Sequence, residues 1–186
     1  MHQIEKITFA HLEQRFSAIH SSIHHLEPWF PWAHAQYSKA ECRRWIELSL
    51  TNWDNDKDYN FAIIDDESSE YVGEVKIMDV KRDYAERNAA LAVWVRSDWL
   101  RKHAGHDALT QAAKYAFSKL KLLRLKLMID PNNISSQKLA EAASAKYEGT
   151  LRNQWCFDNS RILDVKLYSL IPEDIGLNRQ DILLGD

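Results

Sequence analysis

A loop in the middle of the chain carries side chains that could bind a phosphate group. Arg101, Lys102 and His103 are cationic or can donate hydrogen bonds. They lie between an apolar segment that ends near residue 95 and an amphipathic segment over residues 107–122. A helix that begins after such a loop presents unpaired backbone N–H groups and a partial positive charge. The arrangement is typical of a pyrophosphate site. Taken alone, however, a plain strand-to-helix connection with solvated basic residues is the commoner origin of such a segment.

A second polar segment, residues 130–136, follows a predicted strand and opens a predicted helix. Pro131 disfavours the helical conformation at Asp130 and so ends the strand. Asn133 or a neighbouring serine is suited to cap the helix that follows. Capping alone would explain this segment. The alternative is that Asn133 and Ser136 also point into a cleft.

Residues 27–32 form a third group, because they read Glu-Pro-Trp-Phe-Pro-Trp and predict a stiff aromatic turn. The two prolines would hold the rings at little entropic cost. Trp29 and Trp32 could then line a binding site beside the Glu27 carboxylate. Either tryptophan taken singly would more often fill a core.

The histidines and cysteines do not predict a metal site. His103 and His106 have a spacing that suits metal binding on a helix, but no Glu or Cys ligand lies near them in the sequence. Cys42 and Cys156 lie far apart without a CxxC motif, which argues against a disulfide framework and a zinc cluster. We therefore expect no metal and reduced cysteines.

Composition and charge argue against several classes of function. The 186 residues favour one compact domain over 1–186, and 45% hydrophobic with 27% charged residues is typical of a globular protein. A net charge of -3 without a sustained basic stripe argues against nucleic-acid binding. No apolar run approaches the roughly 20 residues that span a bilayer, and the first residues lack the form of a signal peptide. We expect no membrane partner and a cytoplasmic location.

Periodicity assigns the remaining segments to helices and strands. Helices are predicted for residues 8–25, from a Ser38–Glu41 capping box through residue 50, for 107–122 and for 135–145; strands are predicted for 59–64, 71–80, 89–95, 124–129, 151–157 and 162–170. Residues 81–88 are a charged connection and Asp158-Asn159-Ser160 a turn, and the polar tail from Pro172 is predicted to be partly mobile. This order of helices, antiparallel strands, a strand–helix–strand–helix unit and a closing hairpin indicates an α+β fold.

Three stretches of the chain resemble the GNAT superfamily of acetyltransferases, in particular its RimJ/RimL-type ribosomal-protein N-acetyltransferases. The stretch SDWLRKHAGHDALTQAAKYAFSKLKLLRLKLMIDPNNISSQKLAE resembles the family's cofactor loop, helix, strand and Asn-x-x-Ser helix start. The family's closing hairpin is matched by KYEGTLRNQWCFDNSRILDVKLYSLI, and its aromatic-proline turn by LEPWFPWA. The resemblance covers most of the chain. It implies an α+β GNAT fold: a mixed, mostly antiparallel central sheet that is split at the cofactor cleft and flanked by helices.

The resemblance also implies an enzyme that transfers acetyl directly from acetyl-CoA to an amine. For the RimJ/RimL branch this amine is expected to be the α-amine of a protein or peptide N-terminus. A small-molecule amine as acceptor, and a degenerate binding or interaction module with weak or no catalysis, are the two alternatives. Family members are often dimers, so a homodimer is a further expectation.

The family's site residues carry over to the matching positions of this chain. A backbone N–H near Val93 to Val95 would polarise the thioester, Asn133 would bond the pantetheine arm, and Ser136 would protonate or stabilise the leaving thiolate. The implied cofactor site comprises Val93, Trp94, Val95, Leu100, Arg101, Lys102, His103, Ala104, Gly105, Asn133 and Ser136. The implied acceptor site comprises Glu27, Trp29 and Trp32. Glu74, Glu86 and Asp164 are candidates for the general base, with a surface or structural role as the alternative for each.

The cofactor loop departs from the family pattern Gln/Arg-x-x-Gly-x-Gly/Ala. Here Leu100 to Gly105 read LRKHAG, and only Gly105 fits. His103 occupies a glycine position, where a backbone that approaches phosphate seldom tolerates a side chain. Other departures are Ala90 and Ala92 for the usual Glu and Gly, and Ser144-Ala145 for Gly-Phe. Ala140 stands where many other GNAT enzymes place a tyrosine, which favours the RimJ/RimL branch over those relatives. Weakened CoA binding is the consequence to be tested.

Overall fold

The computed structural model describes residues 1–157 and 161–184, and a mixed sheet runs through it. The described residues form seven strands in the order β1-β2-β3-β4-β5-β7-β6. Every neighbouring pair is antiparallel except β4 and β5, which are parallel. The strands are β1 (His2–Lys6), β2 (Tyr59–Asp65), β3 (Tyr71–Arg82), β4 (Arg87–Val95), β5 (Arg124–Ile129), β6 (Lys146–Phe157) and β7 (Arg161–Leu170). The predicted sheet of mixed, mostly antiparallel strands is confirmed.

Helices cover both faces of this sheet. They are α1 (Leu12–Leu26), α2 (Lys39–Asp54), α3 (Ala104–Ser118), α4 (Ile134–Ala142) and α5 (Arg179–Leu184). One buried cluster joins α1 and α2 to one face, and a second joins α3, α4 and α5 to the other. Neighbouring residues of β4 alternate between them, since Val95 packs in the α3 cluster and Trp94 in the α1 cluster. No helix in the described ranges has the length and apolar character that crossing a membrane requires.

Two predicted helix caps are confirmed. The Ser38 Oγ accepts a hydrogen bond from the Glu41 N–H at 3.2 Å, and the Glu41 carboxylate accepts one from the Ser38 N–H at 2.8 Å. At the start of α4 the Asn133 Oδ1 accepts a hydrogen bond from the Ser136 N–H at 3.0 Å. Each cap satisfies backbone donors that the first turn of a helix leaves unpaired.

Several predicted boundaries were wrong. Helix α3 begins at Ala104 and ends at Ser118, not at 107 and 122, because the buried Leu120 and Leu122 continue the apolar pattern from beyond the helix end. Helix α4 ends at Ala142 because Ser144 adopts a left-handed conformation, and β6 then begins at Lys146, not at residue 151. The connection predicted for 81–88 is shorter, since β3 extends to Arg82 and β4 starts at Arg87.

Two regions near the ends of the chain hold structure that no sequence pattern signalled. Strand β1 was missed, and it pairs antiparallel with β2. In the tail, residues Pro172–Ile175 form a 3-10 turn and α5 follows, with Ile182 only 6% exposed within the α3 cluster. The turn predicted at Asp158-Asn159-Ser160 lies outside the described residues.

The parallel pairing at the middle of the sheet stops early. Only Asn88, Ala89 and Ala90 of β4 pair with β5, opposite Arg124, Leu125 and Lys126. Both strands continue, β4 to Val95 and β5 to Ile129, and a cavity lined by residues of both strands lies between them. The predicted split in the sheet is therefore present.

A charge cluster holds the strands together at the paired end of the split. The Arg124 guanidinium on β5 forms an ion pair with the Glu148 carboxylate on β6, and the Ser169 hydroxyl on β7 donates to the same carboxylate at 2.6 Å. The hydrogen bonds from Arg124 and Ser169 lower the pKa of Glu148 to about 2. A carboxylate with a depressed pKa stabilises the fold above its ordinary pKa, and this contribution is lost as pH falls toward 2.

We therefore predict that Glu148→Gln lowers the free energy of unfolding at pH 7 by about 1 kcal/mol, the scale of a partly exposed ion pair. The difference from wild type should shrink as pH falls from about 4.5 toward 2, because wild-type Glu148 then becomes neutral as well. Urea unfolding at a series of pH values measures this. The control is Glu47→Gln, whose exposed carboxylate makes no ion pair within the described residues. A deficit in Glu148→Gln that does not change with pH would contradict the assignment.

Candidate active site

Two adjoining cavities open at the split in the sheet. The larger cavity, of about 850 Å³, lies between the first turns of α3 and α4 and the end of β4. The smaller cavity, of about 350 Å³, lies between the separated parts of β4 and β5, under residues 27–31 of the turn after α1. Trp29, Phe30, Val93, Asn133, Ser136 and Leu139 line both cavities. A ligand in one cavity can therefore meet a ligand in the other at these residues.

Strand β4 directs unpaired backbone N–H groups into the gap. The Arg96 N–H donates to the Val72 carbonyl at 2.8 Å, so even-numbered residues here face β3. The Arg87 carbonyl accepts from the Leu123 N–H at 2.8 Å, so odd-numbered residues face β5. Because backbone groups alternate sides along a strand, Val93 and Val95 present their N–H groups where β5 has moved away. The N–H of Trp94 faces β3 instead, which leaves two of the three predicted positions as donors.

The loop before α3 keeps a glycine-like backbone without glycine. His103 precedes the first residue of α3 with φ 63°, and Arg101 has φ 62°. This left-handed conformation costs a residue with a side chain roughly 1–2 kcal/mol, although histidine is among the side chains that adopt it more often. The backbone that the family pattern assigns to glycine at this position is thus retained by His103.

Gly105 is favoured by close packing. A Cβ built on it would lie 3.0 Å from the Leu139 Cδ2 of α4 and 3.5 Å from the Val95 Cγ2 of β4. A glycine here lets α3, α4 and β4 approach one another at the wall of the larger cavity. The first N–H groups of α3 have no intrahelical partner, and Ala104, Gly105 and His106 line this cavity.

The ionisable side chains that line the larger cavity are basic among the described residues. Arg101 and Lys138 line it together with His25, His103 and His106, and no carboxylate does so among the described residues. Burial lowers the pKa of His25, which favours its neutral imidazole. A cavity that combines these side chains with a helix N-terminus is suited to polyphosphate.

Most of the predicted cofactor residues lie on the wall of the larger cavity. Val93, Trp94, Val95, Leu100, Arg101, His103, Ala104, Gly105, Asn133 and Ser136 line it. Lys102 does not, and its ammonium group lies 4.4 Å over the ring of Trp99 instead. Sequence reasoning missed His25 and Lys138, which lie on α1 and α4 with no motif to mark them. In the described ranges there is no group of three or more His, Cys, Asp or Glu side chains arranged to hold a metal.

Asn133 and Ser136 combine the two roles that their sequence left open. The Asn133 carbonyl oxygen caps α4 by accepting from the Ser136 N–H, and both residues line both cavities. The amide nitrogen of Asn133 is not used by the cap. The Ser136 hydroxyl makes no hydrogen bond with the described residues, so it can donate to a ligand.

The aromatic turn contributes Glu27, Trp29 and Phe30 to the smaller cavity. Trp32 lines neither cavity. Its ring packs 5.4 Å from Phe30, 6.1 Å from Tyr37 and 6.2 Å from Trp94, measured between centroids. Trp32 is thus half-buried and packs against the core, and Phe30, which was not predicted, lines the cavity.

The carboxylates named from the sequence lie away from both cavities. Glu74 is buried and accepts hydrogen bonds from the Arg15 Nε at 2.6 Å and the Tyr71 hydroxyl at 2.5 Å. Glu86 pairs with Lys81 at the surface, and Asp164 accepts from the Asn153 N–H at 2.9 Å. The smaller cavity is lined by Glu27 and Asp130 instead. Asp130 follows β5 directly, which places its side chain at the end of the separated strand.

Comparison with known proteins places these features in a family. The model of the acetyltransferase (GNAT) domain matches residues 3–146. An uncharacterised N-acetyltransferase, p20 of Bacillus licheniformis, is 29% identical over 130 residues, which is 69% of this chain and 68% of that protein.

Solved structures share the fold over nearly the whole chain. A candidate ribosomal-protein-serine acetyltransferase from Vibrio cholerae is 27% identical with a TM-score of 0.79, over 92% of this chain and 94% of that one. RimJ of Mycobacterium smegmatis, in complex with CoA-disulfide, is 21% identical with a TM-score of 0.85, over 98% and 88%. A spermidine N-acetyltransferase from Vibrio cholerae, in complex with CoA and spermine, is 19% identical with a TM-score of 0.73, over 94% and 97%. The last two are similar in fold alone.

The backbone at His103 generates a prediction about stability. His103→Gly should leave the free energy of unfolding within about 1 kcal/mol of wild type, because relief of the left-handed strain offsets the greater entropy of glycine in the unfolded chain. His103→Val should lower the free energy of unfolding by about 1–2 kcal/mol, since a β-branched residue tolerates positive φ poorly. Denaturant unfolding of both variants measures this. Equal stability of the valine and glycine variants would contradict the left-handed assignment.

Proposed function

This chain belongs to the acetyltransferase (GNAT) family and is an acetyl-CoA-dependent enzyme, and we propose that its acceptor is the α-amine of a protein or peptide N-terminus. The observation that carries the proposal is the meeting of the two cavities at Val93, Asn133 and Ser136. One cavity is suited to a polyphosphate and the other to an amine with apolar neighbours. The shared residues lie where an acetyl group would pass from one to the other.

The larger cavity offers the groups that CoA needs. Acetyl-CoA supplies a thioester-activated acetyl group when it is bound. The N–H groups at the start of α3, together with Arg101 and Lys138, would hold its phosphates. The amide nitrogen of Asn133 would hydrogen-bond the pantetheine arm. His103 can donate to phosphate from the position that relatives give to glycine, so the irregular loop is compatible with binding.

The junction offers the groups that acyl transfer needs. The Val93 and Val95 N–H groups face the gap without a strand partner, and one of them would stabilise the negative charge that develops on the thioester oxygen. The Ser136 hydroxyl would donate a hydrogen bond to the departing sulfur. Both groups are held by a strand and a capped helix, so little reorganisation is required when charge develops.

The amine must be neutral before it can attack. An α-amine has a pKa near 7.7–8.0 in peptides, much lower than that of lysine or an alkylamine, so an appreciable neutral fraction exists at pH 7. Titratable residues on the cavity walls, among them Glu27, Asp130 and His25, can accept its proton directly or through water. The Glu27 carboxylate would also attract the protonated amine into the smaller cavity.

The walls of the smaller cavity favour a peptide over a polycation. Its described walls are mainly apolar and aromatic, and the charged side chains on them are Glu27 and Asp130. The Asp130 Oδ1 already accepts a hydrogen bond from the Asn132 N–H at 2.8 Å. A polyamine would need several carboxylates distributed along its length, whereas a peptide N-terminus needs one at its amine.

We predict that Ser136→Ala lowers kcat for peptide acetylation about 100-fold or more, the range of a lost proton donor, with little change in the Kd for acetyl-CoA. Acetyl transfer from labelled acetyl-CoA to N-terminal peptides and to spermidine measures turnover, and calorimetry measures binding. The control is Ser17→Ala, an exposed serine on α1 outside both cavities. Faster acetylation of spermidine than of every peptide would overturn the acceptor assignment. Tight acetyl-CoA binding without turnover on any amine would show a non-catalytic module.

A further inference from the structure

The β6–β7 hairpin supplies one wall of the smaller cavity. Trp155 of β6 and Leu163 of β7 line this cavity, and they are Cα partners across the two strands. Side chains of directly opposed residues lie on the same face of a sheet. The pair therefore presents one continuous apolar surface to the cavity, opposite the turn that carries Trp29 and Phe30 and the gap lined by Leu91 and Met128.

A bulge determines which side chains of the hairpin form this surface. The β6–β7 register shifts between Leu151 and Trp155, and within the shift Asn153 has a φ of 54°. Bulges redirect the side chains that follow them. The Asn153 N–H, which the bulge removes from the strand ladder, donates instead to the Asp164 Oδ1 at 2.9 Å. Asp164, next to Leu163, thus fixes the bulge that aims Trp155.

The cavity is larger and more apolar than an acetyl group and an amine require. Its volume of about 350 Å³ leaves room for a side chain next to the reacting amine. The polar groups are at Glu27, at Asp130 and at the junction residues Asn133 and Ser136. A small polar group beside the amine would leave the apolar walls in contact with water, whereas a large apolar group would cover them.

We propose that the acceptor's first residue carries a large apolar side chain, such as that of Phe or Leu, which packs against Trp155 and Leu163. Asp164 acts as a positioning residue for this wall. The proposal rests on the proposed function, because it assumes that the amine enters the smaller cavity as a peptide N-terminus. It adds the side chain that the enzyme selects and the residues that select it.

The test measures binding separately from transfer. Protein saturated with CoA, which cannot donate acetyl, is titrated calorimetrically with peptides that differ only in their first residue: Phe, Leu, Ser or Gly. Burial of a full apolar side chain predicts that the Phe and Leu peptides bind tenfold or more tighter than the Ser and Gly peptides. Equal binding of the four peptides, or tighter binding of the Ser and Gly peptides, would overturn the proposal.

Variants of the hairpin assign the preference to its residues. Trp155→Ala should reduce the difference between the Phe and Gly peptides to within about twofold, and Leu163→Ala should reduce it in part. Gln154→Ala, at an exposed neighbouring position, is the matched control and should keep the full preference. An unchanged CoA affinity in each variant shows that the fold is intact. Full preference in both Trp155→Ala and Leu163→Ala would refute the assignment.

The positioning role of Asp164 is tested with two substitutions, one that removes its acceptor oxygens and one that keeps an acceptor. Asp164→Ala removes the acceptor for the Asn153 N–H and should weaken the preference, whereas Asp164→Asn keeps an acceptor oxygen and should restore most of it. A structural defect alone would weaken all four peptides equally and would not distinguish them by first residue. Acetylation of the bound peptides is then measured separately. Selective binding without acetylation would support the side-chain preference and refute the proposed acetyl transfer. Acetylation without selectivity would support the transfer and refute the preference.

Discussion

The end of the β4–β5 pairing after Ala90 and Lys126 is the constraint on which the site depends. A parallel pair that continued would bond the Val93 and Val95 N–H groups to β5 and close the sheet. Because the strands separate, these donors face a cavity, and the residues that follow β5 are displaced toward α4. The pairing of β4 with β3 continues on the other side, so the open edge stays part of the sheet. A binding site formed in this way needs no mobile element to present its backbone donors.

The two cavities differ in the charge of their walls, and this difference suits them to different ligands. Cationic or titratable basic side chains surround the larger cavity, and the carboxylates of Glu27 and Asp130 lie at the smaller one. Each cavity therefore attracts one substrate and repels the other, which favours correct loading. The aromatic turn over residues 27–32 lies next to a buried hydrogen-bond network. In this network Arg15 donates to the Glu74 carboxylate at 2.6 Å and to the Tyr37 hydroxyl at 2.6 Å. Trp32 packs on Tyr37 and Phe30, which links this network to the cavity wall.

Sequence patterns predicted the parts of the molecule that depend on local physics. The Ser38 and Asn133 caps and the bounds of β5 follow from short-range backbone preferences, and the structure contains each of them. The glycine position of His103 came instead from the resemblance to the family's loop pattern, and the left-handed backbone there agrees with it. Features set by tertiary contacts were not predictable. The sequence of the aromatic turn could not show that Phe30 lines the cavity while the half-buried Trp32 packs against the core. The segment that forms strand β1 is too short and too polar to be predicted as a strand. His25 and Lys138 line the larger cavity only because α1 and α4 both reach it.

The proposed site requires that the separated edge of β4 bind the acetyl donor through its backbone. Nuclear magnetic resonance of protein labelled with ¹⁵N-valine, titrated with acetyl-CoA, tests it most directly. Large shifts of the Val93 and Val95 amide signals are expected, because both residues line the larger cavity and their N–H groups face the gap beside it. Val80 and Val165, which line neither cavity, should keep their positions. Binding that leaves the Val93 and Val95 signals unchanged, or no binding at millimolar acetyl-CoA, would rule out this role for β4.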